Sequence, residues 1–119
     1  MKLQLSLDMV DLNEALGYIE ETKNSIDIVE VGTPLALKYG VKAISLIKEK
    51  YPSKDVLADF KIIDGGNYEA CIAFNAGADI VTVLGVSNDA TIAGAVLAAR
   101  KFQKEIMVDF ELSNEFHRR

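Results

Sequence analysis

Val56-Leu57-Ala58-Asp59-Phe60-Lys61-Ile62-Ile63-Asp64-Gly65-Gly66 is the stretch that decides the fold. Its residues alternate with the period of a β-strand over Val56–Ile63: Val56, Ala58, Phe60 and Ile62 take one face, Leu57, Asp59 and Lys61 the other. One face is wholly apolar, and the other ends in a carboxylate and an ammonium just before a glycine turn. The run Leu3–Leu7 repeats the pattern, with Leu3, Leu5 and Leu7 opposite Gln4, Ser6 and Asp8. In Ile26–Val31, Val29 and Val31 alternate with Ile28, Glu30 and Gly32. A flat doubly wound sheet covers both faces with helices and rarely tolerates such charges. A barrel covers one face and aims the other at the mouth where catalysis occurs. The parity predicts a barrel.

Outward from these strands the pattern continues. Two more strand-like runs lie at Asp79–Leu84 and Glu105–Phe110, and helical spacing fills the gaps. Leu12, Ala15, Leu16 and Ile19 share a helix face, and Asp11 with Glu14 makes a capping box. Leu37, Val41, Ile44 and Ile47 stripe a second helix that Tyr51-Pro52 stops. Tyr68, Cys71, Phe74 and Ala78 mark a third, opened by Gly65-Gly66-Asn67 and closed by a left-handed Gly77. A fourth starts at Ser87 or Asn88 and stripes Ile92, Ala95, Val96 and Ala99. Strand and helix alternate at roughly 25-residue intervals, the signature of βαβ units on a parallel sheet.

The fold class is therefore α/β: parallel (βα)n units forming the N-terminal half, about five strands and four helices, of a TIM-type (β/α)8 barrel. Residues 1–119 read as one incomplete barrel domain. A whole barrel takes about 250 residues, so either the chain is a piece of something longer or another chain completes it. A fifth strand would be followed by a new helix starting within Ser113–Arg119. The edge strands of such a half-barrel invite association, and Ile28, Leu57, Ile80 and Leu84 on its inner face are expected to lie uncovered.

Composition narrows the function. With 18 acidic against 13 basic residues the net charge is −5, which argues against nucleic acid or an anionic membrane as a partner. The N-terminus lacks the continuous apolar core of a signal peptide, and no run of about 18 apolar residues exists to span a membrane. The expected setting is cytoplasmic. One cysteine, Cys71, makes neither an internal disulfide nor a thiolate zinc cluster, and its apolar stripe marks it as core. The glycines form neither G-x-G-x-x-G nor a P-loop.

The chemistry lies at the strand ends. Asp59 and Lys61 project side by side from one face, with Asp64 at the following turn. Such a pair is either a salt bridge or a unit that holds a metal and stabilises an oxyanion. Glu30, at the corresponding height on the neighbouring strand, can join Asp59 in supplying oxygens to Mg²⁺, and Asp8 adds a carboxylate at the end of the first strand. Asp109 and Glu111 are either further site acids or charges at a frayed end. His117 is expected to face solvent, and Arg118-Arg119 are terminal basic residues.

Three segments, Leu3-Gln4-Leu5-Ser6-Leu7-Asp8, Val29-Glu30-Val31-Gly32-Thr33-Pro34 and Asp59-x-Lys61-x-x-Asp64, together resemble the orotidine-5′-phosphate decarboxylase suprafamily. Thr82-Val83-Leu84-Gly85-Val86-Ser87-Asn88-Asp89-Ala90-Thr91-Ile92 is most similar to its 3-hexulose-6-phosphate synthase branch. The sister 3-keto-L-gulonate-6-phosphate decarboxylase branch shares the Asp-x-Lys-x-x-Asp motif. The resemblance covers essentially the whole chain. It implies a Mg²⁺-dependent aldehyde-lyase that takes a proton from D-ribulose 5-phosphate and adds the enediolate to formaldehyde. It further implies Glu30 and Asp59 as metal ligands, Lys61 stabilising the enediolate oxygen, and Asp8 on substrate hydroxyls. Asp64 is similar to an aspartate that crosses a dimer interface, so a homodimer or higher association is expected. The family motif often reads Asp-Ala-Gly where this chain has Asp64-Gly65-Gly66. The family's later histidine and its phosphate-gripping glycine loops have no counterpart here, which leaves a non-catalytic, self-associating half-barrel as the other reading.

Overall fold

All five strands pair in parallel and in chain order, β1-β2-β3-β4-β5, in a computed structural model that describes residues 1–111. The elements are β1 (Gln4–Leu7), α1 (Leu12–Thr22), β2 (Ile28–Val31), α2 (Thr33–Tyr39), α3 (Lys42–Lys50), β3 (Asp55–Ile62), α4 (Gly66–Asn75), β4 (Ile80–Leu84), α5 (Asp89–Phe102) and β5 (Glu105–Asp109). A parallel sheet whose strands neighbour one another in strict chain order has the arrangement of a barrel wall, as the side-chain parity predicts. The segment after Glu111, with His117, Arg118 and Arg119, lies outside the described residues.

The apolar face of the sheet packs beneath the helices, buried over most of its area and partly so at Leu5, Phe60, Ile106 and Val108. Leu7, Val29, Val31, Val56, Ala58, Ile62, Val81 and Val83 join Ala15, Ile19, Leu35, Ile44, Ile47, Phe74 and Ala95 in one core. A fully buried Val, Leu or Ile contributes about 1.5–3 kcal/mol, so this layer is the main source of cohesion. On the opposite face Ile28, Leu57 and Ile80 form a second, smaller cluster. The sequence leaves these three and Leu84 uncovered, but all four are buried. They stand on β2, β3 and β4, each flanked by a strand on both sides; Leu57 stands opposite Ile80 in register, and Ile28 joins them from one pleat lower.

The first helix follows its sequence signal: Asp11 accepts the Glu14 amide and Glu14 accepts the Asp11 amide, which completes the capping box. The second does not. The stripe Leu37-Val41-Ile44-Ile47 runs through two helices, because Gly40 takes φ +65° and ends α2 before α3 starts. Leu37 and Val41 are consequently exposed, while Ile44 and Ile47 are buried. In α4, Phe74 is buried and Gly77 has the positive φ expected of it, but Tyr68 points to solvent. Asn88 caps α5 through the Thr91 amide, and the buried stripe is Thr91, Ala95, Ala98 and Ala99, with Ile92 and Val96 at its margin.

At the N-terminal end of the strands one carboxylate ties four elements. Asp79 accepts Lys48 of α3 at 2.8 Å, Lys104 before β5 at 2.6 Å and the Val56 amide of β3 at 2.9 Å. Burial alone would push its pKa up, but these donors outweigh burial and hold it below the usual carboxylate value. A depressed folded-state pKa gives stability that is full above the unfolded value of about 3.9 and is lost as pH falls through the folded value. Asp79→Asn is therefore expected to lower stability by about 2 kcal/mol in urea at pH 7, with the gap to the parent closing below about pH 4. Equal urea midpoints at pH 7 would remove Asp79 as a tie.

Candidate functional site

The C-terminal ends of the strands gather the charges. Register places Ser6, Glu30 and Leu57 level with one another on the inner face, so Asp59 stands one pleat higher than Glu30. The equal height expected from the sequence is thus corrected: parity fixes the face a residue takes, not the offset between strands. The Glu30 carboxylate accepts hydrogen bonds from Gln4 at 3.0 Å and from Ser6, both on β1. Among the described residues it has no cationic partner.

Asp59 is nearly buried. Its Oδ1 accepts the Thr82 hydroxyl at 2.8 Å, and its Oδ2 has Thr33 Oγ1 at 3.2 Å and Lys61 Nζ at 3.3 Å. Thr33, the first residue of α2, also donates to the Asp59 carbonyl at 2.6 Å. Lys61 reaches further, to Asp109 at 2.6 Å and Glu111 at 3.4 Å. Burial alone would lower the Lys61 pKa, but the hydrogen bond to Asp109 and the charge of Asp59 win, and it stays an ammonium beyond the ordinary lysine range. The hydrogen bond from Lys61 in turn holds Asp109 below the usual carboxylate value against its partial burial. Asp109 is therefore a member of the cluster and not a frayed-end charge.

Asp8 follows β1 and is exposed, with its carboxylate against Gly32; a Cβ at Gly32 would come within 2.0 Å of Asp8 Oδ1 and 2.7 Å of the Leu7 carbonyl. Asp64 is exposed at the turn before α4, where its Oδ1 accepts the Gly65 amide at 2.6 Å. Beside it Glu69 is pushed up, first by burial and then by the Asp64 charge. Glu69 also lines a mostly apolar cleft of about 270 Å³ with Thr33, Leu37, Phe60 and Ile72, between α2 and α4. The structure thus joins Asp59 and Lys61, adds Asp109, and keeps Asp8, Glu30 and Asp64 outside that direct network. Among the described residues no three His, Cys, Asp or Glu side chains are grouped to hold a metal ion. The donor chemistry still suits Mg²⁺: Glu30 and Asp59 offer carboxylates from one face of adjacent strands, and Mg²⁺ takes one or two carboxylates with waters.

Thr33 and Thr82 were not marked by the sequence. The available signal for Thr82 was a hydroxyl on the inward parity of an otherwise apolar strand, Ile80-Val81-Thr82-Val83-Leu84.

Five parallel strands in chain order, with charged groups at their C-terminal ends, and a superposition on about half of a (β/α)8-type neighbour define the fold of this chain as the N-terminal half of a TIM-type (β/α)8 barrel. The sequence matches the Orotidine 5'-phosphate decarboxylase / HUMPS family over residues 1–116, and the chain belongs to that family. It is 51% identical over 109 residues to 3-hexulose-6-phosphate synthase of Bacillus subtilis (strain 168), covering 92% of this chain and 52% of the relative. The crystal structure of 3-hexulose-6-phosphate synthase from Salmonella typhimurium superposes with a TM-score of 0.90 at 51% identity, over 92% of this chain and 52% of that one. The 3-keto-L-gulonate-6-phosphate decarboxylase of Vibrio cholerae O1 biovar El Tor follows with 0.87 at 34% identity, over 90% and 50%. The chain spans about half the length of these relatives. Among the described residues no helix is long and apolar enough to cross a membrane.

The Lys61–Asp109 pair yields a direct test. Asp109→Asn removes the shortest ion pair of the ammonium, and the Lys61 pKa is expected to move down toward the ordinary value of about 10.4. NMR titration of ¹³C-methylated lysines reads this shift. An unmoved Lys61 signal would leave Asp59 and Glu111 as its anchors.

Proposed function

We propose that this chain carries the metal and enediolate side of a 3-hexulose-6-phosphate synthase site, an aldehyde-lyase that joins D-ribulose 5-phosphate to formaldehyde. The observation that supports it is the Lys61 ammonium held beside Asp59 on the inner face at the strand ends, 3.3 Å from the carboxylate. An ammonium so placed stabilises an oxyanion that forms beside the sugar carbonyl when the neighbouring proton leaves. Mg²⁺, held by Glu30 and Asp59 with waters, would supply further positive charge to the same oxygens. Thr82 holds the Asp59 carboxylate and Thr33 its backbone carbonyl, and Asp109 holds Lys61 as an ammonium. Asp8, exposed above Gly32, is the proposed contact for substrate hydroxyls. Asp64, exposed at the turn, is the proposed residue lent to a neighbouring subunit in a homodimer.

The activity test uses this chain joined to the C-terminal half of the Bacillus subtilis relative. Formaldehyde-dependent loss of ribulose 5-phosphate in the presence of Mg²⁺ is expected. Lys61→Ala should then lower kcat by about a hundredfold or more with little change in KM, because the ammonium matters most once charge develops. Decarboxylation of 3-keto-L-gulonate 6-phosphate without any formaldehyde reaction would move the assignment to the sister branch.

The sheet supports a second reading for the chain by itself, a half-barrel that self-associates. Among the described residues β1 and β5 each pair on one side only, and such edges offer backbone groups to another chain. Light scattering across a dilution series is expected to show a mass that rises with concentration. A concentration-independent monomer with synthase activity would overturn this reading.

A further inference from the structure

We propose that Thr82 is a positioning residue, whose single hydroxyl fixes both the Asp59 carboxylate and the backbone of Lys61; this rests on the reading of Asp59 and Lys61 as the working charges of the site. The pairing of β3 with β4 carries the argument. Ala58 stands opposite Val81 and Ile62 opposite Val83. Asp59, Phe60 and Lys61 therefore face Thr82 alone, two residues in excess, and the ladder is interrupted there. Lys61 takes φ +49° within this bulge, a left-handed conformation that a lysine adopts only when its surroundings impose it.

An interrupted ladder leaves an amide without its usual carbonyl. The Lys61 amide donates instead to Thr82 Oγ1 at 2.9 Å. The hydroxyl hydrogen goes the other way, to Asp59 Oδ1 at 2.8 Å. Donor and acceptor capacities of the one hydroxyl are both used, and Thr82 is buried, so water does not compete for either. Without that hydroxyl the amide of Lys61 and one oxygen of Asp59 lose their partners together. The Thr82 hydroxyl thus ties the Lys61 amide to β4 at this level, and it is from this backbone that the ammonium reaches Asp59 and Asp109.

The test uses ¹⁵N-labelled chain, with Thr82→Val, which keeps the shape and removes the hydroxyl, and Thr82→Ser, which restores it. Amide hydrogen exchange by NMR is expected to show Lys61 protected in the parent and in Thr82→Ser. In Thr82→Val it should exchange about tenfold faster or more, with Val81 and Val56 unchanged. Calorimetric titration with magnesium chloride should show about tenfold weaker binding in Thr82→Val and recovery in Thr82→Ser. A Lys61 amide that exchanges at the unprotected rate in the parent overturns the proposal even if Thr82→Val fails to fold. So does equal protection in Thr82→Val and the parent. If the parent binds no Mg²⁺, the metal part of the proposed function falls, and the exchange rates alone decide the role of Thr82.

Discussion

The Lys61 ammonium stands between Asp59 of its own strand and Asp109 of β5, and the upper rim of the sheet is built around that contact. Residues two apart on a regular strand are separated by about 6.6 Å along the chain. The bulge in β3 lets the lysine swing toward both carboxylates. Its size matters as much as its existence. Two extra residues are an even number, so Ile62 returns to the helix-covered face on which Ala58 lies, and both are buried there. An insertion of one residue would have turned Ile62 inward and brought the wrong side chains to the core. The core and the site are thus served by one irregularity.

The two ends of the sheet handle charge differently. At the N-terminal end Asp79 is matched by Lys48, Lys104 and a backbone amide, and every partner is part of the scaffold. At the C-terminal end Asp8 and Asp64 are exposed, and among the described residues Glu30 meets the neutral donors Gln4 and Ser6. A satisfied ionic knot is what a stability face needs. Carboxylates with open coordination are what a ligand-facing end needs, and barrels place those at this end.

Much of the architecture was legible because strand parity is a local property. Leu5 against Ser6, or Ala58 against Asp59, assigns a face without knowledge of any neighbour. Asp11 and Glu14 were legible for the same reason, being a self-contained cap. The features that escaped are those that need two strands or a backbone angle. Leu37 and Val41 continue the spacing of Ile44 and Ile47, and nothing in that stripe reveals that Gly40 turns left-handed between them. The offset that puts Glu30 level with Leu57 lies in the register, which side-chain alternation leaves open. Thr82 acquires its role only opposite a bulge. Asp109 was a candidate by its parity, but the choice between site acid and frayed-end charge needed β5 beside β4, within reach of Lys61.

Under the proposed function, the charge distribution also dictates how a sugar phosphate would lie. The inner rim described here holds Glu30, Asp59, Asp109 and Glu111 against one ammonium, Lys61, which is already shared by three of them. A phosphate brought within about 4 Å of one such carboxylate meets a repulsion of about 4 kcal/mol for each unit of its charge at an effective dielectric near 20. The same surplus of negative charge favours a divalent cation beside Glu30 and Asp59, and the cation in turn favours the carbonyl and hydroxyl oxygens of the sugar. The reacting carbons would therefore face β1–β3, and the phosphate would point away from this rim. Barrel enzymes commonly hold phosphate at the loops after strands 7–8, across the mouth from β3 and β4. The acidity of this half and the proposed position of the phosphate grip are then two sides of one electrostatic arrangement.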